Sequence, residues 1–508
     1  MVTRVSNFAH SQYLNSHLFK LQNDLHKAEI ATATEKITQT YSGIPDSSSR
    51  LVQLEHLVEQ SRRFNTNNEV VDLRLQSTDI ALVGIEDTIS NMKDMLSDYA
   101  SGETRSAEQV EQVQKFAYQA LRDIQGFLNE SVAGRYLFSG SRTSQSPVDL
   151  KLQDNLQAFQ QKWNGDTSKF PETRAANILK FGISDSFTFT NGGSGNNQYS
   201  EIQIAGFAAA DYSKFAVGAD ITLAGGTGND GDWTISAVDT TTGYIRVARK
   251  DLTDEVSADT FTIKRGADEP LIISDTMTYS GTTITAAGGA GTFSNVEVPA
   301  TIEIASGSGN NTMRVSVTAV SADGSSLTVS EKTATATGPN AGTLNVSSYY
   351  NGDTMITSHR IDENRSIDLD TTALDPAFDK AIRALSIIAQ GEFGTAGGLD
   401  QNTDRADEAI WLLDSALDFP TDGTPPYGPE DVSSIEQVRF ETSFYRSQIK
   451  TSIERETTSI TFLLNNTGKI ENIDRLQATT ELLDIDRALQ ASYQVLSRTQ
   501  KLGLAQFL

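Results

Sequence analysis

Apolar residues recur at alternating steps of three and four near both ends of the chain, and at steps of two through its middle. Near the N-terminus Leu14, Leu18, Leu21, Leu25 and Ala28 step by four, three, four and three, which lays them along one seam of a helix. A loop is predicted at YSGIPDSSS, where Gly43 and Pro45 break the helix and Asp46 and the serines offer caps for the next one. A second long helix is expected from near Leu51, carrying Leu82, Ile85, Ile89, Met92, Leu96 and Tyr99 at the same spacing. It should break at Ala100-Ser-Gly-Glu, before a third helix with Val110, Val113, Ala117, Ala120, Ile124 and Phe127 on one face. A short helix is expected within LQDNLQAFQQKW, and a domain boundary between Pro171 and Ser186.

From about Ile183 the pattern changes to alternating apolar and polar residues, the mark of half-buried strands. ADITLAGGTGNDGDWTISAV (219–238) set under ATIEIASGSGNNTMRVSVTAV (300–320) shows an internal repeat. Each copy reads as a strand, a Gly- and Asn-rich turn and a second strand, because GTGND and GSGNN suit the positive φ of a hairpin tip. Small sandwich-like β modules in tandem are the expected result.

Helix returns at DPAFDKAIRALSIIAQ, where Phe378, Ile382, Leu385 and Ile388 share a face, and again around AIWLLDSAL. PTDGTPPYGPEDVSS reads as a rigid connector. Beyond it Ile435, Val438, Thr442, Tyr445, Ile449 and Ser452 begin a last helical stretch. Leu482, Ile485, Leu489, Ser492 and Leu496 continue its heptad spacing towards an apolar finish at Leu502, Leu504, Phe507 and Leu508. Phe8, Tyr13, Phe19, Ile30 and Ile37 in the first helix, and Tyr493, Val495 and Leu504 in the last, lie partly off these seams. Something besides the seam must cover them, since apolar surface left in water is unfavourable by about 25 cal/mol per Å².

Composition narrows the function. Apolar residues make up only 38% of the 508 positions, so the cores are expected to be slender. A net charge of −25 argues against nucleic acid or an anionic membrane as partner, because the phosphate-neutralising excess of Lys and Arg is missing. Without cysteine there are no disulfides, thiolate metal sites or cysteine nucleophiles. The first thirty residues hold no continuous apolar stretch of the length a cleaved signal peptide needs, and no segment approaches a membrane span.

Candidate chemistry is sparse. The histidines His10, His17, His26, His56 and His359 form no metal-ligating pair, and His10 and His17 read as solvent-facing residues of one helix. Asn229-Asp230-Gly231-Asp232 has part of a calcium loop but lacks its order and its later glutamate, so a hairpin turn is expected. No phosphate-binding glycine loop and no nucleophile elbow occur, and Asp484 and Asp486 sit on a helix that its apolar face already explains. The chain is expected not to be an enzyme and to use no cofactor and no metal.

Gly134-Arg-Tyr-Leu-Phe-Ser-Gly-Ser-Arg-Thr143, after a long helix and followed by Pro147, resembles the G-x-Y-L-F-x-G turn of the flagellin superfamily. The ending LLDIDRALQASYQVLSRTQKLGLAQFL is similar to that superfamily's C-terminal helix, and Tyr349-Tyr350-Asn351-Gly352-Asp353 with DPAFDKAIRAL resembles its hook-associated junction group. Filament flagellins match less well: VTRVSNF and YSGIPDSSSRL replace their usual N-terminal stretches. The resemblance covers roughly 1–175 and 345–508.

That resemblance implies an α+β multidomain fold, with terminal coiled-coil and helical-bundle domains formed by the N- and C-terminal segments together and a central all-β insertion of two tandem sandwich-like modules. Residues 1–45 with 466–508 would form the terminal coiled coil, and 46–182 with 346–465 a helical bundle with small β elements. Residues 183–272 and 273–345 would form the two β modules. Leu14, Leu18, Leu21 and Leu25 would pair with Leu482, Ile485, Leu489 and Leu496, and Leu502 and Phe507 would extend this assembly interface. Gly134, Tyr136, Leu137, Phe138 and Gly140 carry the turn motif. The implied function is structural: an extracellular subunit of the bacterial flagellum, exported without a cleaved signal peptide, that self-assembles at the hook–filament junction. Its implied partners are copies of itself in a homo-oligomeric ring, the neighbouring hook-associated protein, flagellin and an export chaperone, with no nucleic acid and no membrane insertion. The large insertion keeps two further readings open, a filament-forming flagellin and a surface adhesin or glycan-binding protein acting through its β modules.

Overall fold

A computed structural model describes every residue except 1, 103–104, 164–170, 172, 194–197, 225–230, 249–254, 266–267, 297, 299, 306–313, 330–339, 392–397, 419–429 and 506–508. Only the backbone is described for 2–11, 161–163, 255–265, 268–271, 300–301, 303–305, 314–316, 340–346 and 499–505. The connector 420–434 and both glycine-rich hairpin tips fall largely outside the described residues. The chain divides into two compact units, 1–72 with 360–366 and 447–508, and 73–359 with 367–446.

In the first unit, helix α1 (Val2–Thr34) is followed by the opening of α2 (Pro45–Ser101). Pro45 supplies the first helical residue, where its missing N–H costs nothing, so α2 starts before Leu51. Along α2 in this unit Leu51, Val58, Ser61, Asn68 and Val71 are buried, a heptad stripe in which two of the five side chains are polar. Asn68 has a purpose: its amide donates to the Ile361 carbonyl at 2.9 Å, and Ser452 donates to the same oxygen at 3.1 Å. Ser452 lies on the part of α8 (Ile435–Glu471) that belongs here, and Ile361 lies at the tip of a small hairpin.

The expectation of one continuous C-terminal helix is corrected. Helix stops at Glu471 and restarts as α9 (Arg475–Ala505), because residues 472–474 pair as extended chain with the segment after α1.

In the second unit the rest of α2 packs with α3 (Ala107–Leu128), which opens on a Ser106 capping box with Gln109. The predicted seam residues Leu82, Ile85, Ile89, Met92, Leu96, Val113, Ala117, Ala120 and Ile124 are all buried. They join one core with α6 (Pro376–Ala389) and α7 (Asp404–Leu417), and with Ile435 and Val438 of α8. Helix α6 is enclosed on all sides, from Ala377 to Ala389. Arg405 holds its C-terminal end, its guanidinium donating to the Ile387, Gln390 and Gly391 carbonyls that have no intrahelical partner. Between α3 and α6 run a hairpin of β1 (Ser131–Val132) and β2 (Arg135–Tyr136), then α4 (Leu156–Trp163) and α5 (Arg174–Ile178).

The insertion differs from expectation in closure and in order. Strands β3 (Phe181–Gly192), β4 (Tyr199–Ile204), β5 (Asp220–Ala224), β6 (Gly231–Asp239) and β7 (Tyr244–Ala248) form a closed six-stranded barrel with β14 (Asn340–Ser347), in the order β14-β3-β4-β7-β6-β5. Within it, β8 (Glu255–Arg265), β9 (Asp268–Ser280), β10 (Thr283–Ala286), β11 (Ala300–Ala305), β12 (Arg314–Val320) and β13 (Ser326–Val329) form a second closed barrel, in the order β8-β9-β10-β13-β12-β11. The modules are therefore barrels rather than sandwiches and nested rather than tandem, since β14 returns to pair with both β3 and β5. Closure satisfies the edge strands that a small open sheet would leave unpaired.

The repeat extends beyond the segment visible in sequence. ISDSFTFT (183–190) on β3 and ISDTMTYS (273–280) on β9 occupy equivalent places. Asp185 accepts from the Gly206 N–H at 2.9 Å, and Asp275 from the Gly288 N–H at 2.7 Å. A Cβ on either glycine would meet that carboxylate at 2.3 or 2.6 Å, which is why both positions are glycine. The bulges also correspond, at Ile235/Ala237 and at Val317/Ala319. One difference separates the copies: the sixth strand comes from the C-terminal side in the outer barrel (β14) and from the N-terminal side in the inner one (β8). The second unit closes with the hairpin β15 (Thr357–Arg360) and β16 (Ser366–Leu369), whose tip lies in the first unit.

Candidate assembly site

Within the first unit α1 and α9 pack against each other as an antiparallel pair. The pair is started by backbone. Glu35 takes φ +58°, the left-handed conformation that ends a helix, and the chain then crosses Asn472 in an antiparallel bridge. Ile37 N–H donates to the Glu471 carbonyl at 2.7 Å, and Ile473 N–H to the Glu35 carbonyl at 3.1 Å. Lys36 bonds Glu471 at 2.8 Å, and Arg475 pairs with Glu35. Farther along, the Gln22 amide donates to the Tyr493 hydroxyl at 2.6 Å.

The seam is only partly closed. Leu18 and Leu489 are buried, each 8% exposed, whereas Leu14, Leu21, Leu25, Leu482, Ile485 and Leu496 are half-buried. The backbone of Leu502 belongs to α9, its side chain is not described, and Phe507 lies outside the described residues. Of the off-seam side chains, Tyr13 is 66%, Phe19 71% and Val495 50% exposed, and Ile30, Ile37 and Tyr493 are exposed as well. Leu476 at 79% and Leu483 at 50%, which the periodicity alone did not single out, belong with them. At 100° per residue Leu476 and Leu483, seven apart, fall on one line of α9, and Phe19 and Ile30, eleven apart, on one line of α1.

In the second unit the structure brings the turn motif onto the YYNGD segment. Ala133 and Gly134 take φ +52° and +74°, the two positive values of a type I′ turn between β1 and β2. Tyr136 and Leu137 are half-buried, and Phe138 is fully buried, its ring edge-on to Phe378 at 5.8 Å. Gly140 takes φ +65°, and a Cβ there would meet the Asp353 carbonyl and carboxylate oxygens at 2.4 Å. Asp353 is the last residue of the YYNGD segment. Its carboxylate accepts from the Ser141 N–H at 2.8 Å and from the Ser141 hydroxyl, bonds that hold it below the usual carboxylate range.

The two tyrosines complete this clamp. The Tyr350 hydroxyl donates to the Asp353 carbonyl and that of Tyr349 to the Ala373 carbonyl, each at 2.8 Å. Burial pushes Tyr350 up to about 12, and burial with the nearby Asp379 carries Tyr349 well above its ordinary value, so both remain protonated donors. Beneath them a buried charge network ties α6 to its surroundings: Asp379 accepts from Asn177 at 2.7 Å and from Arg383 at 2.9 Å, and Arg383 also reaches Glu430.

Among the described residues no group of three or more His, Cys, Asp or Glu side chains is placed to hold a metal ion, and no helix is long and apolar enough to cross a membrane. His17 is exposed, and Asp232 accepts a hydrogen bond from Thr222 across the β5–β6 hairpin.

Among solved structures, the chain is similar to the flagellar junction protein FlgL from Legionella pneumophila. The match has 11% identity and a TM-score of 0.25, over 80% of this chain and 99% of that one. Xanthomonas campestris FlgL matches at 10% identity with a TM-score of 0.26, over 82% of this chain and 97% of that one. A flagellar hook associated protein-3 from Legionella pneumophila matches at 11% identity with a TM-score of 0.22, over 84% and 98%. No family profile matches the chain, and no curated protein does.

Proposed function

We propose that this chain is a structural subunit of the bacterial flagellum that joins hook to filament and self-assembles through its terminal helices. The observation that carries this reading is the α1–α9 pair: backbone hydrogen bonds tie the end of α1 to the start of α9, yet large apolar side chains on both helices stay exposed. A helix pair with a half-open seam is marginal in water by itself and gains stability when neighbouring helices cover it. Terminal segments that order only against neighbours confine polymerisation to a growing tip. The clamp between the G-R-Y-L-F-S-G turn and Asp353 supports the reading from the second unit, because it gives the motif that carries the family resemblance a packing role.

In this reading the first unit makes the axial contacts, with copies of itself around a ring and with hook-associated protein and flagellin on either side. An export chaperone holds the termini before assembly. The test is immunogold electron microscopy of detached flagella with antibody against residues 183–345. Label in a short band at the hook–filament boundary is expected. Label along the whole filament would make the chain a flagellin, and label on the cell body alone would move the function to an adhesin.

A further inference from the structure

On the α2 side of the turn motif lies a cation with no ion pair among the described residues. Arg74 lies in a pocket lined by Thr78, Leu137, Thr357, Thr371 and Tyr445, and the residue is half-buried. Among the described residues neither Arg74 nor Arg135 of the motif has an ion pair or a side-chain hydrogen bond. In a protein of net charge −25, with 66 acidic residues against 41 basic ones, two neighbouring arginines without a carboxylate are unexpected. They also act on one another: burial and then the Arg135 charge lower the Arg74 value, and burial and then Arg74 lower that of His359.

The pocket presents donors. Tyr445 is kept protonated by its burial and by Asp370, Glu441 and Asp368, none of which pairs with Arg74. Thr357 and Thr371 add hydroxyls, while Thr78 is already engaged with the Arg74 carbonyl at 3.1 Å. A guanidinium fork with free N–H groups matches a planar carboxylate in two parallel hydrogen bonds. The surrounding negative field disfavours a dianion such as phosphate more than a monoanion.

We infer that the pocket formed by Arg74, Thr357, Thr371 and Tyr445 binds a single carboxylate group, with Arg135 reinforcing its positive field. The carboxylate is either a free small acid or the side chain of Asp or Glu on a second copy of this chain, and the site does not depend on the flagellar reading.

The test uses the full chain with arginine labelled with ¹⁵N at Nε, titrated with sodium acetate at ionic strength held constant by chloride. The Arg74 signal is identified by its absence in Arg74→Gln. A saturable shift of the Arg74 signal with acetate, accompanied by one of the Arg135 signal that is lost in Arg74→Gln and weakened at least about tenfold in affinity in Arg74→Lys, which keeps the charge but not the fork, establishes a site for a free carboxylate. No response to acetate, but a shift of the Arg74 and Arg135 signals with protein concentration, the Arg135 shift being abolished by Arg74→Gln, assigns the carboxylate to a second copy. If the signal responds to neither, the inference is overturned. Arg135→Gln, at an exposed position, gives the same reading through a weaker shift should Arg74→Gln not fold.

Discussion

Replacing Leu476 and Leu483 together by glutamine should weaken self-association while leaving the α1–α9 pair intact. The two side chains, 79% and 50% exposed on one line of α9, together offer a little more than one full leucine of uncovered surface. Covering that much in a neighbour's contact is worth about 2–3 kcal/mol, or roughly 30- to 150-fold in the association constant per contact. The change should be invisible within the monomer, because neither side chain is buried and glutamine is a good helix former. Sedimentation velocity over a concentration series measures the association, and far-UV circular dichroism checks the helix content. The seam gives the contrast. Leu489→Ala removes one of the two seam leucines that are buried among the described residues and should lower helix content as well as association. Association unchanged by the double glutamine substitution would refute the argument that exposed apolar positions of the terminal helices are assembly contacts.

Asp379→Ala should destabilise the second unit by about 3–5 kcal/mol in chemical denaturation, since Arg383 and Asn177 lose a shared buried acceptor. Gly140→Ala should cost about 2 kcal/mol or more, because positive φ and the Asp353 oxygens both oppose a Cβ, whereas Ala133→Gly should raise the melting temperature by relieving φ +52°. Asp362 resists its burial through hydrogen bonds from Arg365 and Arg455 and the Asn364 N–H, and is held at about 2. A carboxyl lowered in this way adds stability above its unfolded value of about 4, and the contribution is lost as pH falls from there through about 2. Acid unfolding of the first unit should therefore flatten between these limits in Asp362→Asn.

The helices were legible in the sequence because burial on one side of a helix forces a period near 3.6, and Leu82, Ile85, Ile89, Leu96 and Ile435 carry that period whatever they pack against. The repeat was legible for a similar reason: ITL and IEI alternate faces in any sheet. Strand alternation records only which face is buried and says nothing of which edge pairs with which. Closure into barrels, and the return of β14 across the inner module, were therefore decided by long-range hydrogen bonding. The break at 472–474 was hidden too, since it depends on extended pairing with Glu35 and Ile37 rather than on a proline or glycine. Among candidate site residues, the sequence by itself put the seam leucines on one helix face and the motif glycines in a turn, because helix spacing and backbone conformation are local. Only the tertiary structure set Asp353 against Gly140 and placed Arg74 in a pocket with Thr357, Thr371 and Tyr445, because contacts between residues hundreds of positions apart leave no period along the chain.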